Sequence, residues 1–162
     1  MVGALPCRVL MEKLPTLNLP AFPFRFSRKA DKPLIFDEVR RKYLQLTPEE
    51  WVRQHFIQFL IGRGYPKGCI SIERKIAQSR KLLRRTDIVI FDRQLQVFML
   101  VECKAPSVKI TNAVFEQASQ YNVHLKASVV VVTNGLDHFV LQVDHRLRSY
   151  SFLPDLPPYP SA

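Results

Sequence analysis

"QVFMLVECK" at residues 96–104 and "ASVVVVTNG" at residues 127–135 decide the fold of this chain. Both runs are apolar on successive residues rather than on alternate ones, which is the pattern of strands covered on both faces. The stretch between them, from about Thr111 to Leu125, has helical character. A helix joining two such strands makes them parallel neighbours through a crossover. Three further strands follow from β-rich runs: "CISIERKI" (69–76), "TDIVIFD" (86–92) and "HFVLQVD" (138–144). The short link "DRQLQ" makes 86–92 and 96–104 an antiparallel pair. The expectation is an α/β fold of three layers, a mixed central β-sheet flanked by helices.

A helix ahead of these strands is punctuated at both ends. Thr47 is the N-cap, Pro48 takes the first helical position, and Glu50, three residues after Thr47, completes a capping box. Gly62 and Gly64 end it. At helical periodicity Val52, Phe56, Phe59 and Leu60 form an inward stripe. Glu49 falls within that stripe and Glu50 to one side of it, so Glu49 is the carboxylate without a structural task.

The 162 residues suffice for one domain with a core. Pro6, Pro15, Pro20, Pro23 and Pro33 mark residues 1–33 as an extended or irregular arm. Residues 34–150 form the domain, and 151–162, with "FLPDLPPYPSA", a proline-rich tail. Lys and Arg number 24 against 14 Asp and Glu, a net charge of +10. That balance points to a polyanionic partner, nucleic acid first, with an acidic protein or a solubilising surface as the alternative. The basic run "RKLLRR" (80–85) is expected to contact phosphate.

Cys7, Cys69 and Cys103 are odd in number, widely spaced and without a zinc pattern, which fits a reducing cytoplasm. His55, His124, His138 and His145 share no metal-ligand spacing either. No apolar run approaches the roughly 18 residues of a membrane span. A cytoplasmic protein with no membrane association is expected; the oligomeric state is left open.

The chemistry lies in "VECKAPSVKI", residues 101–110. Alternation along the strand puts Glu102 and Lys104 on one face and Cys103 on the other, among core residues. Asp87, in the antiparallel neighbour, comes beside Glu102. Two carboxylates at one strand end repel and require a positive counter-ion. Oxygen ligands select a hard divalent ion, Mg²⁺ or Mn²⁺, and an adjacent lysine can position or help deprotonate an attacking water. Against a phosphodiester this is hydrolysis chemistry. The plainer alternative is a structural ion pair between Glu102 and Lys104.

Five stretches in order across residues 34–135 carry a family resemblance: "LIFDEVRRKYLQLTPEEWVRQHFIQFLIGRGYP", "RRTDIVIFD", "VECKAPSVKIT", "FEQASQYN" and "VVVVTNG". The set resembles the PD-(D/E)XK nuclease superfamily, and within it the N-terminal domain of type I restriction enzyme R proteins and its stand-alone relatives. The resemblance implies a restriction-endonuclease-like core and a Mg²⁺- or Mn²⁺-dependent endonuclease acting on DNA. It makes Asp87 and Glu102 metal ligands, Lys104 the catalytic lysine, and Glu49 the first-helix acid and third ligand, with Glu50 as the alternative. Gln117 and Tyr121 match the accessory Q-x-x-x-Y, one helical turn apart. The backbone carbonyl after Glu102 is implied to complete the metal shell.

Thr86 stands where the superfamily's namesake proline would be. The chain contains no G-x-x-x-x-G-K-[ST], so the ATP-driven motor of the full restriction subunit is not among these residues, and a motor or specificity protein is expected to act in trans. "LPTLNLPAFPF" (14–24) resembles the family's usual opening, which makes Met11 an alternative start to Met1. A second reading keeps the fold without the cutting: a catalytically silent module that grips nucleic acid or a partner.

Overall fold

The structure, a computed structural model, describes residues 14–78 and 82–160. Residues 80 and 81 of "RKLLRR", the side chains of 74–85 and that of Tyr121 lie outside this description. A three-stranded antiparallel sheet comes first, β1 (Phe26–Lys29), β2 (Lys32–Asp37) and β3 (Lys42–Gln45). Helix α1 (Pro48–Gly62) leads through a 3-10 turn (Lys67–Cys69) into the main sheet. That sheet holds β4 (Ile70–Gln78), β5 (Leu82–Phe91), β6 (Val97–Cys103), β7 (Val129–Thr133), β8 (His138–Asp144) and β9 (Ser149–Leu153), in sequence order. Helix α2 (Asn112–Leu125) crosses from β6 to β7, the one parallel pair; the other neighbours are antiparallel.

The core divides by strand parity. Ile88, Ile90, Met99, Val101, Cys103, Val129, Val131 and Val140 face α1, packing on Val52, Phe56, Ile57 and Leu60. Val89, Leu100, Val130 and Val132 face α2, meeting Val114 and Ala118. The central strands are thus buried on both sides, as their unbroken apolar runs require.

Both helices end as their local chemistry dictates. The Glu50 N–H donates to the Thr47 hydroxyl at 3.0 Å, fixing the start of α1. At the end of α2, Lys126 adopts a left-handed φ of 53°. The Asn122 side chain then clamps Ala127, accepting its N–H at 2.7 Å and donating to its carbonyl at 3.1 Å. That clamp sets the entry into β7.

The ends of the chain are more structured than their prolines suggest. The arm expected to be irregular over 1–33 contains β1 and the start of β2. Ahead of them it straps across α1: the Trp51 indole N–H donates to the Pro15 carbonyl at 3.0 Å, and Phe22 meets His55 edge-on while Phe24 packs tilted against it. At the other end β9 adds a sixth strand, and the tail runs back over the α1 face with Leu156 buried. The Tyr65 hydroxyl donates to the Pro157 carbonyl, and Tyr159 donates to the Phe91 carbonyl at 3.0 Å.

Gly135 closes the turn after β7 at φ +84°, and a Cβ there would stand 2.8 Å from Leu17 Cδ2 and 3.0 Å from Val52 Cγ2. Gly135→Ala is therefore expected to cost about 1–2 kcal/mol through backbone handedness, with Leu17 displaced. A lower urea midpoint at unchanged m-value checks it. His55 is a second probe. Burial depresses its pKa below 6.5, partly offset by its bond to the Trp51 carbonyl. Because the unfolded chain binds the proton more readily, the contribution of His55 is present above pH 6.5 and lost as pH falls. Denaturation at pH 7.5 and 5.0 should show a smaller acid loss in His55→Gln than in the wild type.

Candidate active site

The main sheet opens where β5 and β6 part. Their ladder runs from Phe91↔Val97 to Ile88↔Val101. One step further the Cys103 N–H donates instead to the Asp87 carboxylate, Oδ2 at 2.7 Å. Asp87 shares the strand row of Val89, and Glu102 and Lys104 share that of Leu100, so all three stand on the α2 side of the sheet. The Lys104 ammonium donates to Glu102 Oε1 at 2.8 Å and to Gln117 Oε1 at 3.3 Å. A strand residue and a residue of α2 thereby converge. Tyr121 follows Gln117 by one turn of α2. After Lys104 the loop is pinned by Asn134, whose Nδ2 donates to the Val108 carbonyl at 2.9 Å.

The first turns of α1 supply the other half. Arg53 Nη2 donates to Asp87 Oδ1 at 2.7 Å and to Glu49 Oε1 at 3.0 Å, while Nη1 is paired with Glu50. Glu50 also accepts from Arg40 at 3.1 Å and Gln54 at 2.8 Å, and both of these hold the buried Asp37. The two glutamates are placed differently from the periodicity argument. Glu50 is the buried one, its carboxylate wholly engaged; Glu49 is 45% exposed at its side chain and tethered to Arg53. The cause is that every residue from Glu50 to Ile57 is buried, so α1 has no polar face against which to define an inward stripe.

Arg53 is the residue that sequence reasoning passed over. Its signal was present: Glu49 and Glu50 lie four and three positions before it, and its neighbours Val52 and Phe56 are core residues. An arginine between apolar neighbours needs a partner beyond its own helix, and Asp87 is that partner.

Burial, then the charge of Asp87, pushes the Glu102 carboxyl up to about 7. Glu49 is raised by the same two causes, in the same order. For Lys104, burial works against the ammonium, but the bond to Glu102 and the charges of Glu102, Asp87 and Glu49 hold its pKa above the ordinary value. Burial keeps the Cys103 thiol neutral, which places it in the core, as strand parity implied.

The donor set suits a hard cation in part. Glu102 Oε2 is buried with no hydrogen-bond partner. Such an oxygen is costly unless a cation or donor completes it. Asp87 stands beside it, close enough for its charge to disturb Glu102. Among the described residues, however, no three His, Cys, Asp or Glu side chains are placed to hold an ion by themselves. Glu49 meets Asp87 across the Arg53 guanidinium.

The family described as "Type I restriction enzyme R protein N terminus (HSDR_N)" matches residues 48–157. Among solved structures, the chain is similar to a fragment assigned as an HsdR subunit of a type I restriction enzyme from Vibrio vulnificus YJ016. The TM-score is 0.52 at 19% identity, over 70% of this chain and 24% of that one. That likeness speaks for the fold, and the match spans about a quarter of that fragment's length. No curated protein matches the chain.

The unequal placement of the two glutamates has a measurable consequence. Glu50→Ala leaves two buried guanidinium groups short of a partner and is expected to cost about 3 kcal/mol or more. Glu49→Ala removes a half-exposed carboxylate and should cost less than about 1 kcal/mol. Parallel urea denaturation of the two variants checks the order.

Proposed function

Given that the chain belongs to the type I restriction enzyme R protein N-terminal family, we propose that it is a Mg²⁺- or Mn²⁺-dependent nuclease domain that hydrolyses DNA phosphodiester bonds. The observation carrying this reading is the linkage of Glu102 and Gln117 through Lys104, with Asp87 held on the Cys103 N–H and Glu102 Oε2 left buried without a hydrogen-bond partner. Asp87 and Glu102 would hold the ion, together with the carbonyl of Cys103. A divalent ion, when bound, supplies Lewis-acid stabilisation of negative charge on a phosphate and a more acidic water.

The chain's own groups do the rest. Lys104, anchored to Glu102 and Gln117, presents its ammonium to the scissile phosphate and to the water that attacks it. Gln117 holds that ammonium from the α2 side, with Tyr121 one turn beyond. Glu49 stands at the rim, held on Arg53. The net charge of +10 favours DNA as the polyanion gathered at this rim. No ATP-binding motif lies among these residues, so an ATP-driven motor acting with this domain would be supplied by polypeptide outside them.

Incubation with plasmid DNA and Mg²⁺ or Mn²⁺ tests the reading. Glu102→Ala and Lys104→Ala should each lower cleavage about 100-fold or more, as loss of a transition-state contact does. Unchanged cutting by both variants would remove the mechanism. The binding-only reading draws on the Arg53 guanidinium inside the carboxylate cluster. It predicts salt-sensitive DNA retention with no cleavage under either metal.

A further inference from the structure

We infer that Arg53 is the resident second cation of this site: it holds Asp87 and Glu49 together, limits the centre to one divalent ion on Asp87 and Glu102, and makes Glu49 act through the guanidinium rather than as a ligand. The inference rests on the proposal that Asp87 and Glu102 are the ligands.

Position is the first argument. One nitrogen, Nη2, lies 2.7 Å from Asp87 Oδ1 and 3.0 Å from Glu49 Oε1. It occupies the place where an ion bridging those carboxylates would sit. A metal ion there would meet a like charge at contact distance. The guanidinium cannot relieve this by losing its proton, as a lysine could.

Immobility is the second. The Arg53 side chain is 7% exposed, and Nη1 is paired with Glu50, which is 8% exposed. Glu50 is gripped in turn by Arg40 and Gln54, and both are tied to Asp37, which is fully buried. Swinging Arg53 out would take the guanidinium from Glu50 on α1 and from Asp87 on β5, both largely buried. The guanidinium is therefore a fixed part of the site.

The unmet oxygen is the third. Glu102 Oε2 is buried without a hydrogen-bond partner, and it belongs to a carboxylate paired with Lys104 rather than with Arg53. Glu50, by contrast, is already shared between Arg53 and Arg40. One ion on the Glu102 side would give that oxygen its partner.

Calorimetric titration of the folded chain with Mn²⁺ alone, without DNA, decides the matter. The expected result is one ion per chain, with affinity lost at least tenfold in Glu102→Ala and changed less than threefold in Glu49→Gln. Arg53→Lys, which keeps the charge, should still bind one ion. Its kcat in plasmid cleavage should fall while its Mn²⁺ affinity stays within threefold, since one ammonium cannot hold Asp87 and Glu49 in the same geometry. Two ions per wild-type chain, both sensitive to Glu102→Ala, would overturn the inference and leave the nuclease proposal standing. So would a tenfold loss in Glu49→Gln. Mn²⁺ binding indifferent to Glu102→Ala would overturn both.

Discussion

A single hydrogen bond, from the Cys103 N–H to the Asp87 carboxylate, is the constraint on which the site depends. Up to Ile88↔Val101 the two strands satisfy each other through backbone pairing. Beyond it a side chain takes over as acceptor. This keeps the buried N–H of Cys103 paired while letting the strands part, and it costs no orphaned donor. The opposite neighbour is irregular at the same level. Glu73, facing Asp87 between the Ile72↔Ile88 and Arg74↔Thr86 pairs, takes a left-handed φ of 52° and sends its carboxylate to Arg40. The sheet yields around Asp87 on both sides.

From Asp87 a chain of ion pairs passes through Arg53, Glu50 and Arg40 to Asp37. It joins β5 to α1 and α1 to the small N-terminal sheet. Buried pairs of this kind contribute little net stability, because desolvation offsets their attraction, but removing one partner is severe. Their effect is geometric. The start of α1 is tied over the strand ends, and the Asp87 carboxylate is held in place by Arg53.

Much of this was legible in the sequence. The caps of α1, the crossover through α2, the strand His138–Asp144 and the common face of Glu102 and Lys104 all follow from local rules that act within a few residues. The family matched over residues 48–157 agrees with the resemblance read from the ordered motifs. What local rules missed is non-local. Phe26–Lys29, Lys32–Asp37 and Lys42–Gln45 form a sheet of short strands, one of them carrying Pro33, which packs on Trp51 through Phe26. Periodicity separated Glu49 from Glu50 wrongly because that sheet and the arm bury α1 nearly all round. Arg53 escaped notice because a lone arginine reveals its role only once Asp87, thirty-four residues on, is folded against it.

Strand β6 and the lysine that follows it show why charge and core can share one short stretch. Met99, Val101 and Cys103 lock into the α1 side of the core, while Leu100, Glu102 and Lys104 face α2. The two rows are independent, so the chemistry of one leaves the packing of the other intact. Among the described residues of α2, Val114 and Ala118 are the buried apolar ones, and Gln117 between them reaches Lys104. Packing through Val114 and Ala118 brings α2 onto the row of Leu100, and Gln117 on the same helix is left to meet Lys104, whose ammonium holds the buried Glu102.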